Sequence, residues 1–151
     1  MHSRYKTYLC IVIDKIPKNK QLILFDGVCN LCNSSVLYAI KRDKNEKFLF
    51  APLESDIGNK IIQKFSIDTK ETDSILLYNP LKDSLTYKST AALLIAKQLG
   101  FPTNILTLFL IVPKAIRNWV YNYIAKNRYK WYGKKESCMI PTPELKAKFI
   151  D

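Results

Sequence analysis

Between Leu22 and Cys32 the chain passes from an unbroken apolar run, Leu22-Ile23-Leu24-Phe25, through Asp26-Gly27 into two cysteines three residues apart, Cys29 and Cys32. A short apolar run without alternation suits a strand buried on both faces. Asp-Gly suits a turn, and the residues beyond it open a helix. A buried strand that delivers two thiols to a helix N-terminus constrains the chain to α/β layering and points to redox chemistry.

The spacing has a chemical purpose. Residues three apart on a helix have Cβ atoms about 5–6 Å apart, whereas a disulfide needs about 3.8 Å. A modest tightening of the first turn therefore closes the ring, and relaxation reopens it. Unpaired backbone N–H groups and the positive end of the macrodipole favour an anion at the helix N-terminus, which predicts a lowered pKa and an attacking role for Cys29. Cys32, one turn inside, is expected to be the more buried thiol and to resolve the mixed disulfide. Asp26 is either the proton handler for that step or simply a turn residue.

Two plainer readings compete, inert core thiols and a structural zinc site. Zinc needs about four ligands, so Cys29 and Cys32 would have to recruit two of Cys10, Cys138 and His2, the single histidine of the chain. No second Cys-x-x-Cys exists, and no metal or other cofactor is expected.

Several segments together carry a resemblance. Phe25-Asp26-Gly27-Val28-Cys29-Asn30-Leu31-Cys32-Asn33, Arg42-Asp43, Phe50-Ala51-Pro52-Leu53, Asp73-Ser74-Ile75 and Asn127-Arg128-Tyr129-Lys130-Trp131-Tyr132-Gly133 with Cys138 resemble the DCC family of thiol-disulfide oxidoreductases, named for Asp-x-x-Cys-x-x-Cys. The likeness extends from about Leu22 to about Pro141. It implies a thioredoxin-like fold, nucleophile and resolving roles at Cys29 and Cys32, and Asp26 as the third signature residue. In contrast to familiar thioredoxin-like enzymes, Thr69 to Ser74 contains no proline ahead of the third strand, and Asn30-Leu31 separates the cysteines.

At 151 residues and 48% hydrophobic, the chain suits one domain with a substantial core. The expected division is an N-terminal extension at 1–20, a thioredoxin-like core at 21–100, and a helical, basic and aromatic extension at 101–151 packed on that core. Four cysteines, two of them paired in the motif, do not make a disulfide-scaffolded secreted domain, so a cytoplasmic location is expected. The apolar stretch Leu9 to Ile13 is too short for a signal peptide and lacks a cleavage site.

Apolar periodicity gives the order β-α-β-α-β-β-α. The strands are Leu22 to Phe25, Lys47 to Ala51, Ser74 to Tyr78 and Ser84 to Lys88. The helices are Cys32 to Arg42, one capped by Ser55 or Asp56 with Ile57, Ile61, Ile62 and Phe65 on one face, and one capped by Ser89 or Thr90 that runs to Leu99. A four-stranded mixed sheet flanked by helices follows. Farther on, Ile105 to Val112 is a buried or interfacial helix, far short of the roughly 20 residues that span a bilayer. Ile116, Trp119, Val120, Tyr123 and Ile124 form a helical stripe expected to pack on the core.

The net charge of +11 is uneven, with nine basic and three acidic residues in 114–151. Basic residues interleaved with Tyr129, Trp131 and Tyr132 suit nucleic acid or an anionic membrane surface. With no nucleic-acid motif present, a solvated basic face whose aromatics anchor the tail is the preferred reading. Two functions remain. One is a thiol-disulfide oxidoreductase acting on a protein or low-molecular-weight disulfide or thiol. The other is a redox-sensing binding module that uses the basic C-terminal surface for an acidic protein, nucleic acid or membrane partner.

Overall fold

The computed structural model describes residues 13–68, 75–134 and 142–150. Cys10, Cys138, His2 and the stretch Thr69 to Ser74 lie outside the described residues. The strands are β1 (Gln21–Phe25), β2 (Phe48–Pro52), β3 (Leu76–Asn79) and β4 (Ser84–Tyr87). The helices are α1 (Asn30–Arg42), α2 (Asp56–Lys64), α3 (Lys88–Gln98) and α4 (Lys114–Tyr132), with a 3₁₀ segment at Thr103–Ile111 and a short 3₁₀ turn at Lys146–Lys148.

The sheet order is β2-β1-β3-β4. β1 runs parallel to β2 with Ile23 opposite Phe50, and antiparallel to β3 with Ile23 opposite Leu77. Strand alternation sorts the core into two layers. Leu22 and Leu24 face Ile57 and Ile61 of α2, joined by Ile13 and Ile16 from the N-terminal segment. Ile23 and Phe25 face Val36 and Ala39 of α1 and Ala91 and Ile95 of α3. This is the expected α/β, thioredoxin-like arrangement with a four-stranded mixed sheet, and burial of β1 on both faces explains its unbroken apolar run.

Buried polar side chains set the connections. Asp43 accepts the N–H of Lys47 at 2.9 Å and of Phe48 at 3.0 Å, fixing entry into β2. Ser55 caps α2 by accepting the Gly58 N–H at 3.2 Å. A Cβ at Gly58 would stand 2.5 Å from the Leu53 carbonyl oxygen, so the close approach of α2 to the end of β2 requires glycine there.

Three expectations are corrected. α3 begins at Lys88 after Tyr87, with no side-chain cap, because the Ser89 hydroxyl is hydrogen-bonded to Asn118 of α4 instead. The segment after Pro102 is 3₁₀ and not buried: Leu108, Phe109 and Ile111 are 64%, 56% and 84% exposed. The stripe of α4 also faces outward, for Ile116, Trp119, Val120, Tyr123 and Ile124 are all exposed, as are Trp131 and Tyr132. The inward side of α4 instead carries Asn118, Tyr121 and the buried Arg128. No described helix is long and apolar enough to cross a membrane.

Candidate active site

The site forms where β1 ends, α1 begins and the last turn of α4 returns. Cys29 is the N-cap of α1, in extended backbone conformation, and its sulfur accepts the Cys32 N–H at 3.3 Å. The sulfur thus occupies the position of a capping oxygen, where the unpaired N–H groups and the macrodipole favour negative charge. Both cysteines are free thiols. Burial, reinforced by the hydrogen bond to Cys29 and the nearby Cys29 and Asp26, pushes the Cys32 thiol up to about 12, while Arg128 acts in the opposite direction.

Accessibility reverses one expectation. Cys29 is fully buried, and Cys32 is the partly exposed sulfur. The cause lies a hundred residues away. Asn30 donates through Nδ2 to the Tyr132 carbonyl at 2.8 Å and through its backbone N–H to the Gly133 carbonyl at 3.5 Å. Lys134 then pairs with Cys29 as an antiparallel β-bridge. Residues 132–134 form a strap over the helix N-terminus. Gly133 has φ +81°, and a Cβ there would meet Asn30 Nδ2 at 3.1 Å, so the strap depends on glycine.

Asp26 fills its turn role and has further partners. Its Oδ1 accepts the Val28 N–H at 3.0 Å, while Oδ2 accepts Arg128 Nη2 at 3.1 Å and the Tyr129 hydroxyl. The Asp26 and Arg128 side chains are 7% and 5% exposed. Tyr129 is pushed up to about 12, by burial first and then by the carboxylate to which it donates, so it is a neutral donor at neutral pH. Asn33, also buried, donates to the Gly27 carbonyl at 3.0 Å and ties the Asp-Gly turn to α1. The Tyr121 hydroxyl accepts the Ile75 N–H at 3.0 Å, just ahead of β3.

A largely apolar cavity of about 480 Å³ reaches this cluster, with Asp26, Cys32, Tyr121 and Arg128 on its wall and Leu106 and Ile124 among its other lining residues. Among the described residues no three Cys, His, Asp or Glu side chains gather as metal ligands. By sequence Arg128 and Tyr129 belong to a basic, aromatic tail with no local link to Asp26. Asn30, Asn33 and Tyr121 were also missed. The available signal was that Arg128-Tyr129 lies inside one of the segments quoted with the Asp-x-x-Cys-x-x-Cys motif.

The chain is 43% identical over 138 residues to the uncharacterized protein YuxK of Bacillus subtilis, covering 91% of this chain and 97% of that one. It is 35% identical over 126 residues to a chloroplastic DCC family protein of Arabidopsis thaliana, covering 83% and 70%. No solved structure matches it. The model of the DCC1-like thiol-disulfide oxidoreductases matches residues 23–134, a span that opens in β1, contains both cysteines and ends at the strap residue Lys134. The chain belongs to the DCC1-like thiol-disulfide oxidoreductase family.

Proposed function

We propose that the protein exchanges disulfides with protein or low-molecular-weight thiol partners through Cys29 and Cys32, in a reducing, cytoplasm-like compartment. The observation that carries this reading is the N-cap position of the Cys29 sulfur, which accepts the backbone N–H of the residue that carries the second thiol, Cys32. In the reductive direction, the Cys29 thiolate attacks a substrate disulfide, forming a mixed disulfide and releasing the first substrate thiolate. Cys32 then loses its proton and attacks the Cys29 sulfur, which releases the second thiolate and leaves a Cys29–Cys32 disulfide. Two electrons pass to the substrate, and an external dithiol resets the pair.

The causes of the Cys32 shift give the order of events. Two of the influences that hold Cys32 protonated are its hydrogen bond to Cys29 and the charge of that sulfur. Both disappear once Cys29 is tied up in a mixed disulfide, while the influence of Arg128 remains. Burial, the largest influence, persists, but loss of these two makes Cys32 easier to deprotonate after the first step than before it. Asp26, on the same cavity wall, is the acceptor for its proton, with Arg128 and Tyr129 holding the carboxylate in place.

Trapping tests this sequence. Cys32→Ser leaves an attacking thiol without a resolving one, so covalent adducts with partner thiols should accumulate, be reversed by dithiothreitol, and map to Cys29 by mass spectrometry. Adducts that map elsewhere, or none at all with a model disulfide, would refute the assignment.

A further inference from the structure

The largest feature left unused by the dithiol chemistry is the outer surface of the 3₁₀ segment and α4. Ile105, Leu106, Leu108, Phe109, Leu110 and Ile111 are exposed nearly all around a segment only nine residues long. On α4, Ile116, Trp119, Val120, Tyr123 and Ile124 recur at i, i+3, i+4, i+7 and i+8 and are all exposed. Trp119 stacks on Tyr123, whose other neighbour is Trp131, so the aromatic ridge is continuous along the helix. Leu106 and Ile124 both line the same cavity, which joins the two surfaces. Apolar patches of more than a few hundred Å² are rare on free monomers and mark a docking surface.

Charge identifies the occupant. From Ser84 to Lys135 the sequence has nine Lys and Arg and no Asp or Glu. Lys126 and Lys130, three and seven residues beyond Tyr123, stand on the side of the apolar stripe and are exposed. A second copy would bring cation against cation. A nucleic acid would match the charge, but would offer nothing to the aliphatic residues of the 3₁₀ segment. An anionic bilayer surface satisfies both: acyl chains take the Leu, Ile and Phe side chains, the headgroup layer takes Trp and Tyr, and anionic headgroups take the lysines.

We infer that this face docks the protein on an anionic lipid surface, lying in the interface without spanning it. The cavity wall formed by Leu106 and Ile124 then adjoins the lipid, and Cys32 lies on the same cavity. The docking inference does not depend on the redox reading.

Both tryptophans of the chain, Trp119 and Trp131, lie on this face, so fluorescence reports docking directly. The full chain is titrated with vesicles of phosphatidylcholine alone and of phosphatidylcholine with one-third phosphatidylglycerol. A blue shift and quenching by brominated acyl chains are expected, with affinity about tenfold or more higher on the anionic vesicles and falling as salt is raised. Phe109→Ser with Ile111→Ser, at solvent-exposed positions that leave the core intact, should weaken binding about tenfold or more. The inference is overturned if no blue shift occurs on anionic vesicles, if the double serine variant binds as tightly as the parent, or if the tryptophans are already shielded in a lipid-free dimer that the double variant dissolves.

Discussion

Cys29→Ser should reduce disulfide exchange to the uncatalysed background, although Cys29 is the buried sulfur and Cys32 the more accessible one. Two opposing effects decide this, and their sizes differ. Among the described residues, two hydrogen bonds from Asn30 hold the strap over Cys29. At about 0.5–1.5 kcal/mol each, they hold opening to a penalty of roughly 5- to 150-fold. Cys32 is held protonated first of all by burial, an influence that persists when Cys29 is replaced. The N-cap position of Cys29 and the protonated state of Cys32 outweigh access, so Cys29 is expected to react through opening of the strap while Cys32 waits as a thiol. The measurement is exchange with a small aromatic disulfide, followed with Cys29→Ser and Cys32→Ser side by side. Normal turnover by Cys29→Ser would show that exposure, and not ionisation, selects the nucleophile.

Breaking the Asp26–Arg128 pair should produce the largest loss of stability. Both side chains are almost entirely buried, and Nη2 and Oδ2 are 3.1 Å apart. Removing one member of such a pair takes the buried counter-charge away from the other and costs about 3–5 kcal/mol. For a domain of this size that corresponds to a fall in Tm on the order of 10 °C. Arg128→Met and Asp26→Asn should each show it. The double variant should lose much less than the sum, because neither buried charge is then left to lack its counter-charge. Thermal unfolding of the four proteins in dithiothreitol checks this. Additive losses would mean that the two groups stabilise the fold independently and that Arg128 does not hold Asp26 beside the dithiol.

Much of the sheet could be read from the sequence because its signals are local and one-sided. Leu22 to Phe25 has no polar residue and had to be buried on both faces, and the order of strands and helices followed from periodicity and turn residues. Phe50-Ala51-Pro52-Leu53 is the buried end of β2, and Asp43 caps its beginning. The orientation of α4 was not legible in the same way. Its apolar stripe points to solvent, and the opposite side, with Tyr121 and Arg128, points inward. A helix with an aromatic stripe on one side and partners for a buried carboxylate on the other can satisfy the usual pattern either way. What decided the matter was Asp26, a carboxylate buried beyond the end of an apolar strand that required a cation and a hydroxyl, both supplied from about a hundred residues downstream. The accessibility of Cys29 was hidden for the same reason. The first turn of α1 predicts an exposed N-cap sulfur, but Tyr132, Gly133 and Lys134 cover it, and that contact is invisible to local spacing.

On the proposed function, Cys29 and Cys32 form one reversible two-electron couple. Its most direct test is to equilibrate the wild-type protein in glutathione buffers of graded ratio, quench with acid, alkylate the remaining thiols and weigh the peptide spanning Phe25 to Arg42. A single transition is expected, in which that peptide loses both alkylation sites together and two hydrogens, with a two-electron slope. Two thiols that stay reduced across the series, or that take up glutathione independently without ever joining one another, would contradict it.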